Sequence, residues 1–249
     1  MPRTKSKKEE PKLIGGDLPY IGTEAYKKLW TNVLFSLTDN GECRVIGVTS
    51  SQPEDGKSLT AVNLAWSMAQ LPDKKVLLID GDLRRPSIHS KLGFEASPGL
   101  SNILSNIGND SKSSHTYSDT EDGEQFDVIT AGDIPPNPSE LLCSERMQAL
   151  IGNLRKCYDY IIIDLPPVDA VTDAQAVGNV TDGMLVVVRE NFCRKDVLAE
   201  CIRQLEYAKI HILGFVLNGT NEGGKGYDYN RGKYGKYRYY YKYSRYKYY

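Results

Sequence analysis

The sequence predicts an α/β fold, a mostly parallel sheet with helices on both faces. Three observations carry this reading. Six short runs rich in Val, Ile and Leu have the length of strands. Most are separated by stretches with apolar residues at helical spacing. The runs are apolar throughout, as strands are when both faces of a parallel sheet are covered.

In chain order, residues 1–20 are expected to form a mobile N-terminal segment; the first eleven are polar and lack the apolar core of a secretory signal. Residues 23–38 carry Leu29, Val33, Leu34 and Leu37 at helical spacing, with Thr23 placed to cap the helix. RVIGVTS (44–50) is a β-branched strand candidate, and residues 59–71 are apolar at helical spacing. KVLLID (75–80) is the second strand. Residues 105–125, rich in Ser, Asn, Asp and Gly, predict a solvated surface loop. FDVITAG (126–132), YDYIIID (158–164), GMLVVVR (183–189) and IHILGFVLN (210–218) complete the set, with helices over 144–156 and 195–208. One domain is expected over 21–220, followed by a flexible tail over 221–249.

Composition narrows the function. The chain has 249 residues, 40% hydrophobic and 25% charged, which suits a globular core and excludes collagen, a coiled coil and a wholly disordered chain. No run of about 20 apolar residues predicts a membrane span. The five cysteines are scattered without a CxxC pair, and His89, His115 and His211 are isolated, so a zinc site is not expected and a reducing compartment is. The net charge of -1 hides a segregation. Residues 223–249 hold eight Lys or Arg and one acid, Asp228, for +7, which leaves about -8 on the rest.

The strongest local signal is SSQPEDGKS (50–58), between a strand and a helix. The P-loop pattern asks for Gly, four residues, then Gly-Lys-Ser/Thr; Ser51 replaces the first Gly, while Gly56, Lys57 and Ser58 match. Backbone N–H groups at a helix N-terminus cradle phosphate, the lysine neutralises it and the hydroxyl binds magnesium. The fold class is therefore P-loop NTPase-type. Two acidic motifs stand at strand ends. IIID closes on Asp164, and LLIDGDLRRP supplies Asp80 and Asp82, which alternation puts on one side of the chain. A single aspartate there is better read as a cap or turn residue. Three beside a P-loop repel one another without a cation, which predicts bound Mg²⁺.

LLIDGDLRRP and AGDIPPNPSELLCSERM (131–147), with the P-loop, resemble the bacterial tyrosine kinases, P-loop proteins unrelated to eukaryotic protein kinases. The likeness covers about residues 20–249. It implies an ATP- and Mg²⁺-dependent kinase of the split cytoplasmic type. Such a kinase is activated by the cytoplasmic end of a transmembrane, polysaccharide co-polymerase-like partner, and is tied to capsular or extracellular polysaccharide synthesis and export. It implies ATP binding by Glu54, Asp55, Gly56, Lys57, Ser58, Leu59 and Asn218. Ser58, Asp82 and Asp164 would hold the metal, and Asp80 would act as base beside the catalytic Lys57. Arg84 and Arg85 support phosphate or simply pair at the surface, with equal weight. The resemblance also implies self-association, a cognate tyrosine phosphatase and no nucleic-acid partner. Two positions depart from expectation. The family's Glu-x-x-Arg-x-x-Arg assembly motif reads Glu24, Lys27 and Trp30 here, and Lys cannot reproduce bidentate Arg pairing. The extra lysine of partition and septum-site ATPases, five residues before the P-loop lysine, is Gln52. A partition-like ATPase switch that grips nucleic acid or membrane through its tail is the second reading.

The tail holds eleven of the seventeen tyrosines: Tyr227, Tyr229, Tyr234, Tyr237, Tyr239, Tyr240, Tyr241, Tyr243, Tyr246, Tyr248 and Tyr249. Interleaved with Lys, Arg and Gly, they do not make a core. Composition alone ranks stacking on single-stranded nucleic acid first, with an anionic membrane surface as another use. The kinase motifs favour the tail as phosphoacceptor. Four phosphates would add about -6 to -8 charges and cancel or reverse the +7, favouring release from a neighbouring site.

Overall fold

Alternate side chains of each central strand enter two different cores, which is why the strands read as unbroken apolar runs. Val45, Leu77, Ile79, Ile161, Ile163, Met184 and Val186 belong to one core; Ile46, Val48, Leu78, Ile162, Leu185 and Val187 belong to the other. The computed structural model describes residues 15, 18–37, 43–105, 114–118, 125–168 and 176–219. The element order is α1 (Tyr20–Ser36), β1 (Arg44–Ser50), α2 (Lys57–Ala69), β2 (Val76–Asp80), α3 (Ile88–Leu92), α4 (Leu100–Ser105), β3 (His115–Ser118), β4 (Gln125–Ile129), α5 (Pro138–Leu142), α6 (Glu145–Leu154), β5 (Tyr160–Asp164), a 3₁₀ turn (Gly178–Val180), β6 (Gly183–Arg189), α7 (Lys195–Tyr207) and β7 (Ile212–Asn218). The seven strands form one sheet in the order β3-β4-β2-β5-β1-β6-β7, parallel except where β3 runs antiparallel to β4.

On one face, α2 lies between the sheet and α1, so nearly all of it is buried, including Trp66 and Met68. The other face is covered by Leu100 and Leu104 of α4, Leu142 of α5, Met147 and Ile151 of α6, and Cys201 and Leu205 of α7. At the amino ends of the strands, Arg155 donates to Asp182 (2.9 and 3.1 Å) and to the carbonyls of Cys43 and Val180, while Asp182 accepts from the Val45 N–H (2.6 Å). This bidentate clasp joins three chain segments.

The elements differ from expectation at several points. Helix α1 begins at Tyr20, directly after Pro19; Thr23 lies inside it and its hydroxyl turns back to the Pro19 carbonyl. Helix α2 begins at Lys57, because Gly56 in the left-handed region turns the chain directly into it. The expected loop over 105–125 contains β3, whose polar, half-exposed residues carry no apolar pattern. Among the described residues no helix is long and apolar enough to cross a membrane. The chain divides into two units, Met1–Gly219 and Thr220–Tyr249. The tail tyrosines and nearly all of the expected mobile N-terminal segment lie outside the described residues.

Candidate active site

The carboxyl ends of β1, β2 and β5 bring the predicted site residues together. Asp80 and Asp164 stand opposite each other in register, with Val48 of β1 on the far side of Asp164. The loop from β1 to α2 is held by its own polar groups. Asp55, fully buried, accepts from the Ser51 hydroxyl (3.1 Å) and the Gln52 N–H (3.3 Å). Burial pushes its carboxyl up, against those hydrogen bonds. Gly56 has φ +93°, and a Cβ there would sit 2.0 Å from the Asn218 amide nitrogen, so only glycine fits. That amide donates to the Asp55 carbonyl (2.9 Å), and Asn218 Oδ1 accepts from Gly219. Asn218 thus ties the end of β7 to the phosphate loop.

Lys57 Nζ lies 2.9 Å from Asp82 Oδ2, 3.4 Å from Asp164 Oδ1 and 3.2 Å from the Ser58 hydroxyl. Burial alone would lower the lysine pKa; the carboxylates of Asp164 and Asp82 outweigh it, and the group is raised. The acidic cluster was expected to need a divalent cation, but here Lys57 supplies the opposing charge. Among the described residues no group of three or more His, Cys, Asp or Glu forms a metal cage. The donors still fit a P-loop magnesium, which is held by one or two carboxylates, a hydroxyl and substrate phosphates. Among the described residues Asp164 Oδ2 is buried without a hydrogen-bond partner, and Ser58 and Asp82 flank the same lysine.

Asp80 is fully buried. Its oxygens accept from the backbone N–H groups of Asp82 (3.3 Å), Ser87 (3.1 Å) and Ile88 (3.1 Å). It therefore folds the β2–α3 loop, as the turn reading of a strand-end aspartate has it. Burial, then the Asp164 charge, push its carboxyl up to about 7. Arg84 donates to the Ser139 hydroxyl on α5 (3.0 Å), so the second acidic motif and the Pro-Pro-Asn-Pro segment meet. The side-chain amide of Gln52 donates to the Phe192 carbonyl (3.5 Å), so a neutral group stands at that position.

A cleft of about 540 Å³ runs from the phosphate loop, with Gly56, Lys57 and Ser58, to the β2–α3 loop and α3. Its walls include Pro53, Leu59, Asp82, Arg84, Arg85 and Pro166. Ser87, Lys91 and Pro167 also line it and are not singled out by sequence reasoning. The Pro166-Pro167 pair, one residue beyond the strand-end Asp164, is the one available signal; Lys91 leaves none, because it comes from a helix too short to show periodicity. Asp80 does not line the cleft, whereas Asp82 does.

A family model described as an AAA domain matches residues 43–211. Tyrosine-protein kinase YwqD of Bacillus subtilis is 39% identical over 199 residues, covering 80% of this chain and 81% of the relative. Putative tyrosine-protein kinase CapB of Staphylococcus aureus is 34% identical, covering 79% and 83%. Among solved structures, the kinase domain of Escherichia coli tyrosine kinase ETK superposes with a TM-score of 0.78 at 32% identity, covering 94% of this chain and 88% of that one. A ParA family ATPase from Chlorobium tepidum has a TM-score of 0.57 at 23% identity, a likeness of fold alone. With the phosphate loop, the paired strand-end aspartates and these relatives in agreement, the chain belongs to the bacterial tyrosine kinases, P-loop enzymes that phosphorylate tyrosine.

Proposed function

We propose that this kinase transfers the γ-phosphoryl group of ATP, with Mg²⁺, to tyrosines of its own segment 227–249 between molecules. In the cell it regulates capsular or extracellular polysaccharide synthesis and export. The observation that carries the reading is the place of Lys57: it sits between the phosphate loop and Asp82, in a cleft lined at one part by that loop and at another by Arg85, Ser87 and Lys91. One end of the site suits phosphates and the other suits an acceptor. Backbone N–H groups at the start of α2 and Lys57 bind and orient the phosphates. Ser58, Asp82 and Asp164 would hold the magnesium, which when bound neutralises phosphate charge. A phenol has a pKa of about 10 and needs a proton acceptor; the carboxyl of Asp80, pushed up to about 7, suits that task, and because Asp80 stands behind the cleft wall the proton reaches it through one intervening water. Catalysis is then mainly positioning and charge neutralisation.

The relative solved as the chimerical protein CapA2B2 supports a two-part arrangement, in which the cytoplasmic end of a transmembrane co-polymerase-like protein recruits and activates this chain at the inner membrane face. A cognate tyrosine phosphatase reverses the modification. Incubation with ATP and Mg²⁺ followed by intact mass measurement tests the reading. Phosphate additions mapping to the tail are expected, and Lys57→Met reduces them by at least about a hundredfold. Free phosphate without any gain in protein mass would instead indicate an ATPase switch.

A further inference from the structure

Resting on that reading, we propose that the cleft selects a tyrosine with a negative charge beside it in the chain, through Arg85 and Lys91. Tyr227 and Tyr229, which flank Asp228, are then the first acceptors. Pro53, Leu59, Pro166 and Pro167 give the cleft apolar walls suited to a phenol ring. Its cationic side is made by Arg84, Arg85 and Lys91. Arg84 is committed to Ser139. Among the described residues the side chains of Arg85 and Lys91 have no hydrogen-bond or ion-pair partner, and Arg85 touches Asp82 only through its backbone N–H. Of the cleft's acids, Asp82 is held by Lys57 and Glu54 lies on the phosphate loop.

Two unpaired cations beside an apolar slot repel a basic peptide and welcome an acidic one. Residues 223–249 carry +7, and their single acid, Asp228, has a tyrosine on each side. Transfer breaks the bond between the γ-phosphorus and the β-bridging oxygen and forms one to the phenol oxygen. The phenol proton passes to the base, and ADP leaves. The new phosphotyrosine carries about -1.5 to -2 charges and supplies the neighbouring anion for the next acceptor. Successive tyrosines from Tyr227 to Tyr249 are never more than five residues apart, so the charge is always near. Modification therefore runs from Tyr227 and Tyr229 towards Tyr249.

The test uses the full chain and a peptide of residues 223–233 in three forms: unchanged, with Asp228→Asn, and with Asp228→Asn plus phosphate on Tyr229. Transfer to the peptide and binding without ATP, by fluorescence anisotropy, are both measured. The unchanged peptide is expected to be phosphorylated about tenfold more efficiently than the Asp228→Asn form, with phosphate restoring the loss. In the double variant Arg85→Ala/Lys91→Ala, at one exposed and one half-buried position and checked for folding by thermal unfolding, the preference disappears. Equal efficiency of the peptides, or a preference that survives the double variant, would overturn the proposal. Absence of transfer to any peptide and to the chain itself would instead refute the kinase reading. The anisotropy arm still decides the cleft: an acid preference lost in the double variant supports it, and no preference refutes it.

Discussion

Lys57 is surrounded by acids before any ligand arrives, and that arrangement has a cost at Asp80 and Asp164, whose carboxyls burial pushes up. Asp80, raised to about 7, keeps in the folded state a proton that the unfolded chain releases near pH 4. Folding stability from this group therefore falls as pH rises from about 4 to about 7. Without nucleotide or Mg²⁺, Asp80→Asn is expected to melt several degrees above the unchanged protein at pH 8, with the gap closing towards pH 4. The asparagine oxygen still accepts from the Ser87 and Ile88 N–H groups, so the loop keeps its fold. A thermal scan across pH in which Asp80→Asn is no more stable at pH 8 would show that the buried charge is compensated.

Elements were legible where packing on both faces enforced apolar runs: β1 and β6 fall on the residues that the pattern marks. They were not legible where tertiary bonds do the fixing. Helix α3 has five residues, and its first N–H groups are held by Asp80; α4 is anchored by the Thr130 and Ala131 carbonyls (2.7 and 2.9 Å). No periodicity can announce such turns. The site shows the same division. The spacing of Asp80 and Asp82 and the Gly-Lys-Ser triplet are local and readable. The meeting of Lys57 with Asp82, and of Arg84 with Ser139, depends on the sheet order. Helix α6 carries a cap that can be tested alone: the Ser144 hydroxyl accepts from the Met147 N–H (3.3 Å). Ser144→Ala should cost about 1 kcal/mol in urea unfolding with an unchanged slope.

Across the whole molecule, assembly is the property with the least support from the helix motif. Glu24 and Lys27 pair with each other on α1 (3.1 Å) and are about half exposed, a pair worth little. The proposed association through the basic tail is more sensitive to modification, because four phosphates, adding about -6 to -8, nearly cancel or reverse its +7. Oligomeric mass by light scattering is expected to fall after incubation with ATP and Mg²⁺; unchanged mass with a fully phosphorylated tail would exclude a charge-driven assembly. The Asn218 amide adds a mechanical link. It clips the last residue of β7 to the carbonyl of Asp55, and the tail's unit begins two residues later at Thr220. Whatever grips the tyrosine-bearing end therefore pulls on the strand that braces the phosphate loop, and tension on that end reaches the Asp55–Gly56 turn most directly through the Asn218–Asp55 hydrogen bond.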